Sequence, residues 1–338
     1  MNDATLHSVV VPVFDEEPGL LKFHGRCRAA LEGLGEPYEL VYVDDGSRDG
    51  SWEVMRGLAA QDPHVRLVRF SRNFGHQVAI SAGVENAAGD TVTVIDADLQ
   101  DPPEAIPELI ARWRGGSDIV YGVRAKRHEE TRFKRATAAA FYRLMRWLAD
   151  VDMPVDAGDF RLLSRRAVTA LLSMPEHDRY VRGMVAWIGY DTAIVEYERD
   201  PRVAGETKYP LAKMVRFALD GIMGFSMRPL RVATWLGVAV SAAAFVLAVV
   251  LIIVRLFGDV AVQGWTSLAV LLLLLGGVQL VTVGALGEYI GRIHNEVRGR
   301  PLYLVRERQG FGTDGAGMGS SDDLLRAHRR DSSSGPIV

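Results

Sequence analysis

The sequence predicts an α/β protein: a mostly parallel, Rossmann-like sheet with helices on both faces, followed by an interfacial helix and two membrane-spanning helices. Three observations lead there. Short segments rich in Val and Ile alternate with helix-like segments over about the first 120 residues, the pattern of a sheet built from strand–helix–strand units. Each strand-like segment is followed by a cluster of polar residues, where such sheets bind ligands. Two long uncharged runs then occur late in the chain, Val232–Val254 and Val260–Gly287, each longer than the ~20 apolar residues that cross a bilayer as a helix.

The expected strands are His7–Phe14, Tyr38–Asp44, Val65–Phe70, Thr91–Asp96 and Ile119–Gly122. Helices are expected between them, over Gly19–Leu34, Ser51–Gln61, Gln77–Ala88 and Pro103–Arg114. Arg124 opens a basic, helical stretch through Lys126, Arg127, Arg132, Lys134, Arg135, Arg143 and Arg146. It reads either as a solvated helix face or as an anion or membrane-surface contact. Leu211–Phe225 mixes apolar residues with Lys213, Arg216 and Asp220, as an amphipathic helix lying in a membrane interface does. The division expected is 1–210 for a cytosolic domain, 211–230 for the interfacial helix, 231–290 for two spans and a short outer hairpin, 291–310 for a cytosolic segment and 311–338 for a disordered tail. Lys and Arg flank the outer ends of the two runs while the connector at Phe257–Gln263 has neither, so both termini are expected on the cytoplasmic side. No signal peptide is evident in Met1–Val11.

Composition narrows the function. The 338 residues carry a net charge of −3 and a pI near 6.3, without the basic surplus of a nucleic-acid binder. A single cysteine, Cys27, excludes an intrachain disulfide and any multi-cysteine metal site. Charged residues are 24% of the chain, yet mean hydropathy is +0.06, so charge and apolar surface are segregated along it.

The polar clusters have a definite chemistry. They are Pro12-Val13-Phe14-Asp15-Glu16-Glu17, Asp44-Asp45-Gly46-Ser47, Ser71-Arg72-Asn73-Phe74-Gly75, Asp96-Ala97-Asp98-Leu99-Gln100-Asp101 and Gly122-Val123-Arg124-Ala125-Lys126. Asp-x-Asp occurs twice, but Asp150-Val151-Asp152 follows a helix-like stretch while Asp96-Ala97-Asp98 follows a strand. Two carboxylates at a strand end suit Mg²⁺ or Mn²⁺, hard cations that bridge carboxylate to substrate phosphate. Asp98 and Gln100 are the oxygen donors expected for the metal, and Asp96 is placed to hold a ribose hydroxyl. Arg124 and Lys208 are basic partners for a diphosphate.

Together with Gly205-Glu206-Thr207-Lys208-Tyr209 and Asp159-Phe160-Arg161-Leu162, these motifs resemble the family-2 glycosyltransferases, and within them the polyprenyl-phosphate glycosyltransferases similar to dolichol-phosphate mannose synthase. The resemblance spans about Val9 to Val305, and bacterial polyprenyl-phosphate glucosyltransferases are the nearest in pattern. It implies a GT-A fold, a nucleotide-sugar donor, a polyprenyl-phosphate acceptor, attachment to the plasma membrane with the catalytic domain in the cytoplasm, and a homo-oligomer. By position it implies Pro12, Phe14, Glu16, Asp44, Asp45 and Asp96 for the nucleotide-sugar, Asp98 and Gln100 for the metal, and Arg124, Arg132, Arg202 and Lys208 for phosphates. Asp159 corresponds to the residue proposed as catalytic base. Asp15 and Phe14 stand where many relatives have Asn and Tyr.

A phosphate-monoester acceptor has a second pKa near 6, so it reaches the site already ionised, and a general base is less necessary than for an alcohol. Asp159 is therefore expected either to act as base or to orient the acceptor or sugar. The sugar expected is glucose from UDP-glucose. Mannose from GDP-mannose, an N-acetylhexosamine and a modified arabinose remain alternatives. A processive polysaccharide synthase is disfavoured because no Gln-x-x-Arg-Trp occurs; Arg143 precedes Arg146-Trp147 in the position of the Gln. The remaining alternative is a catalytically inactive nucleotide-sugar-binding scaffold.

Overall fold

The computed structural model describes residues 5–124, 157–177, 179–198 and 264–311, with scattered positions between 234 and 253. Strand β1 (His7–Val13) is buried along its whole length and is the sheet's central element. It pairs in parallel with β2 (Tyr38–Asp44) on one side and β4 (Thr91–Val94) on the other, and β2 pairs in parallel with β3 (Val65–Phe70). A fully buried strand reads as a continuous apolar run, which is why Val9, Val10, Val11 and Val13 are all apolar. Val9, Val11 and Val13 face one core layer and Val10 the other, as the two-residue period requires.

Helices cover both faces. Helix α1 (Glu17–Glu32) buries Leu20, Phe23, Cys27 and Leu31, and α2 (Ser51–Gln61) buries Trp52, Met55 and Leu58. With α4 (Ile106–Arg114), entered through a 3₁₀ turn at Pro103–Ala105, they close the first layer. Helix α3 (His76–Asn86) lies on the opposite face and buries Ala79, Ser81, Ala82 and Gly83. Small residues let it approach the sheet: a Cβ on Gly83 would lie 2.1 Å from Cγ1 of Val10.

Beyond β5 (Ile119–Arg124) the order departs from the expected parallel pattern. Strand β6 (Ala157–Ser164) inserts between β4 and β5, antiparallel to both, giving the order β7-β5-β6-β4-β1-β2-β3-β8. Its Asp-Phe-Arg-Leu segment is a buried strand with Phe160 and Leu162 in one core layer and Leu163 in the other. Helices α5 (Arg165–Leu172) and α6 (Val181–Ile188) pack beside α3, and β7 (Thr192–Tyr197) forms one sheet edge. The other edge is closed from far along the chain: β8 (Val305–Gln309) pairs antiparallel with β3, and the Tyr303 ring stacks on Phe70 with centroids 4.8 Å apart.

The expected pair of membrane-spanning helices is corrected here. Among the described residues, no helix is long and apolar enough to cross a membrane. The apolar run and the helix it was expected to form are out of step: α7 (Trp265–Val297) begins inside the run and continues past Gly287 through Glu288, Arg292, His294 and Glu296. Gly276, Gly277 and Gln279 also interrupt its apolar part. Only scattered positions of Val232–Val254 are described, and the expected helix at Leu211–Phe225 lies outside the described residues.

Candidate active site

The parallel strands end on a common rim, and their loops are stitched together there. Asp15, with φ 55°, donates its backbone N–H to Oγ of Ser47 at 3.1 Å and accepts from the N–H of Arg48 at 2.7 Å. The N–H of Glu16 reaches Oγ of Ser51 at 2.9 Å, and the N–H of Gly50 reaches Oε2 of Glu17 at 2.9 Å. The loops after β1 and β2 are thereby one unit, with Phe14 left 42% exposed beside it and Pro12 buried.

Asp44 and Asp45 have different tasks. Asp44, fully buried, caps its own turn through the N–H of Ser47 at 2.8 Å and stands 3.1 Å from Nε of Arg69. Asp45 turns to the next loop and accepts from the N–H groups of Phe74 at 2.6 Å and Gly75 at 3.0 Å. Burial pushes its pKa up, against the pull of those two amides. Gly46 completes the junction with φ +74°, and a Cβ there would lie 2.6 Å from the carbonyl carbon of Arg72.

The loop after β4 forms an acidic wall. Asp96 and Asp98 are part-exposed, and Gln100 and Asp101 are buried. Oδ1 of Asp98 accepts from the N–H of Gln100 at 3.0 Å, and Leu99 between them has φ 60°. Asp101 accepts from the hydroxyl of Tyr197 and lies 3.8 Å from Arg124. Burial pushes the Asp96 carboxyl up to about 6; His76 pulls it back, while Asp159, Asp101 and Asp98 push it further. Among the described residues, three side-chain atoms here are buried without a hydrogen-bond partner: Oδ1 of Asp96, Nε2 of Gln100 and Nε of Arg124. Such atoms are costly unless a ligand completes them.

Strand β6 supplies the facing wall. Because it runs antiparallel, its first residues lie at the ends of β4 and β5, and this carries Asp159 to the rim. Oδ1 of Asp159 accepts from Nε of Arg182 at 2.8 Å and Nη2 of Arg161 at 3.1 Å. Oδ2 accepts from Nη2 of Arg182 at 2.6 Å and meets Nε2 of His76 at 3.2 Å. Burial raises the Asp159 pKa, but the bonds from Arg182 and His76 and the Arg161 charge outweigh it and hold the carboxyl well below the usual range. Burial disfavours the His76 imidazolium, yet Asp159 and Asp96 together raise its pKa. Nε2 of His76 also stands 3.5 Å from Oδ1 of Asp96, so the ring bridges the two walls.

The structure thus brings Pro12, Phe14, Glu16, Asp44, Asp45, Asp96, Asp98, Gln100, Arg124 and Asp159 to one end of the sheet. Arg132, Arg202 and Lys208 lie outside the described residues. His76 and Arg182 are additions. His76 opens α3 immediately after the polar loop of β3, and that position is a signal for it. Arg182 follows no strand in sequence and is found only through the packing of α6.

His76, Asp96 and Asp159 offer ligand atoms within 4.8 Å of one another. A dication among all three would face the two guanidinia that already hold Asp159. The donor set fits a hard cation better at the Asp96–Asp98 wall, where carboxylates outnumber cations and Oδ1 of Asp96 lacks a hydrogen-bond partner among the described residues.

A mixed sheet of this order with an acidic loop after β4 is the GT-A fold, the architecture of glycosyltransferases that use nucleotide-sugars. The chain belongs to glycosyl transferase family 2, whose profile matches residues 8–172, and it is a glycosyltransferase. The uncharacterized glycosyltransferase YkcC of Bacillus subtilis is 46% identical over 305 residues, covering 90% of this chain and 94% of that one. The prophage bactoprenol glucosyl transferase homolog of Escherichia coli K12 is 41% identical, covering 88% and 98%. The bactoprenol glucosyl transferase of Shigella phage SfII is 42% identical, covering 89% and 97%. Among solved structures, glucosyl-3-phosphoglycerate synthase from Mycobacterium tuberculosis is similar with a TM-score of 0.49 and 22% identity, covering 65% of this chain and 77% of that one.

Proposed function

We propose that the protein transfers one glucosyl group from UDP-glucose to a bactoprenol-type polyprenyl phosphate at a membrane surface. The observation that carries this reading is full-length similarity, at 41–42% identity, to proteins named bactoprenol glucosyl transferases. The bipolar site supports it, with an acidic wall for a metal-bound diphosphate and a basic wall for a second anion.

In this reading Phe14 lies along the base, Asp44 and Glu16 fix the base and ribose rim, and Asp96 holds the ribose. Asp98 and Gln100 would hold Mg²⁺ or Mn²⁺, which supplies charge neutralisation to the departing diphosphate. Arg124 stands beside the same diphosphate. The acceptor phosphate oxygen attacks the anomeric carbon from the face opposite the diphosphate. A carbon–oxygen bond forms with inversion as the bond to the nucleotide breaks, and its electron pair leaves on the diphosphate. The acceptor arrives ionised, so no proton must be removed. Asp159, with both oxygens engaged and its pKa depressed, is a poor proton acceptor and serves to orient the groups around it.

The test is incubation of membranes containing the protein with polyprenyl phosphate and a panel of radiolabelled nucleotide-sugars. Lipid-linked glucose from UDP-glucose is expected. Label taken only from GDP-mannose overturns the donor, and no lipid product from any donor overturns the reaction.

A further inference from the structure

The basic wall has a construction that its sequence does not reveal. Asp159 is 3% exposed and Arg161 2%, whereas Arg182 is 31% and His76 45% exposed. The carboxylate therefore lies behind, and two of its cationic partners stand between it and solvent. All four lone-pair positions of Asp159 are occupied: two by Arg182, one by Arg161 and one by His76. An anion entering the site meets the guanidinium and the imidazole first. The group as a whole sets two guanidinia and an imidazole against the Asp159 carboxylate, and with Asp96, 3.5 Å from His76, counted as well, the basic groups still outnumber the carboxylates. Its front members are also held in place from a second direction. The N–H of Val181 donates to Oε1 of Gln77 at 3.0 Å, fixing the first turn of α6 to the first turn of α3 beside His76.

We propose that Arg182 and His76 form the receptor for the acceptor's phosphate monoester, and that Asp159 is the positioning residue that aims both at it. The inference rests on the polyprenyl-phosphate reading and deepens it. It separates the two anions of the reaction: the donor diphosphate belongs to the wall of Asp96, Asp98 and Arg124, and the acceptor phosphate to the wall of Arg182 and His76. His76, 3.5 Å from Asp96, marks where the walls meet, and the sugar would lie there. A planar guanidinium held by one edge on a carboxylate keeps its orientation when it binds a phosphate, a property a lysine lacks.

The experiment compares wild type with Arg182→Gln, Arg182→Lys and His76→Gln, measuring KM separately for UDP-glucose and for a short-chain prenyl phosphate. Arg182→Gln is expected to raise the prenyl-phosphate KM about ten- to hundred-fold, the loss of a charge-assisted hydrogen-bond pair, with the donor KM within about two-fold. Arg182→Lys is expected to recover part of the loss. An unchanged acceptor KM overturns the proposal, as does an equal rise in both KM values. If Arg182→Gln does not fold, Arg182→Lys and His76→Gln decide by the same criterion. Calorimetry with inorganic phosphate provides an arm free of turnover: binding to wild type that is lost in Arg182→Gln supports the receptor, and equal binding to both overturns it. Tighter binding of the prenyl phosphate than of inorganic phosphate identifies the lipid headgroup as the ligand. Absence of transfer by wild type, with phosphate binding that depends on Arg182, would sink the proposed reaction and leave the receptor standing.

Discussion

Arg182 closes on Asp159 with two parallel hydrogen bonds, Nε to Oδ1 at 2.8 Å and Nη2 to Oδ2 at 2.6 Å. The two residues are 23 positions apart, on an antiparallel strand and on a helix that covers the sheet. A fork-to-fork pair of this kind is directional as well as strong. It orients the guanidinium toward the site and keeps the carboxylate ionised.

Asp159→Ala removes the carboxylate that pairs with both the buried Arg161 and the part-buried Arg182. Breaking a buried pair by deleting one partner costs about 3–5 kcal/mol, and urea unfolding is expected to show a loss of that order. The folded pKa is depressed, so the stabilisation is fully present above the unfolded value near 3.9 and fades only as pH falls through the lower folded value. The Asp159 charge itself therefore contributes throughout about pH 5 to 8, and because Asp159 also raises the His76 pKa, the deficit of the variant is expected to grow below about pH 6.5, where the imidazolium it stabilises is present; a deficit that vanishes by pH 5 contradicts the assignment.

Asp96 has the opposite sign. Its pKa is raised to about 6 in the folded protein, so the native state holds a proton between about pH 4 and 6 that the unfolded chain releases. Stability on its account is greatest below pH 4 and lower above pH 6. Asp96→Asn is expected to stabilise the ligand-free protein at pH 8 by about 1 kcal/mol, well under the full two-unit value because about a third of the side chain remains in water. Thermal melts at pH 4 and 8 check this: the pH dependence should flatten in the variant.

Asp98→Asn weakens an oxygen donor while keeping the turn, since the amide oxygen still accepts from the N–H of Gln100. Glucosyl transfer is expected to fall at least ~100-fold, and titration with Mn²⁺ should show weaker metal dependence of nucleotide binding. Wild-type turnover and Mn²⁺ response in this variant would remove Asp98 from the metal site.

Gly46→Ala tests the junction of the strand-end loops. The left-handed backbone at φ +74° and the 2.6 Å approach to the Arg72 carbonyl carbon both act against a methyl group. A cost of about 2 kcal/mol or more is expected from the two effects. Denaturant unfolding measures the cost, and nucleotide affinity should fall with it because the Asp45 clamp on Phe74 and Gly75 shares this turn.

The half of the site on the parallel strands was legible in the residues. Asp44, Asp96 and Asp98 follow apolar runs whose burial dictates strands, and a parallel strand delivers its next residues to a known rim. On the opposite wall Asp159 was reached only through the family resemblance, and His76 and Arg182 were not reached at all. Asp159 belongs to a strand whose direction is set by its neighbours, and nothing within Asp-Phe-Arg-Leu says that it runs antiparallel between β4 and β5. Arg182 looks like an ordinary helix cation until α6 is packed against α3. The apolar runs did not by themselves show where a helix lies: α7 begins at Trp265, inside the second run, and continues past it to Val297.

The sequence by itself determined the alternating α/β core, the acidic strand ends and the family, because burial of a parallel sheet imposes local patterns that survive without coordinates. Only the tertiary structure decided that His76, Asp159, Arg161 and Arg182 form one group. Their partnership is made of contacts between distant residues, and hydrogen bonds of 2.6–3.2 Å depend on strand direction and helix packing, which no single stretch of sequence encodes.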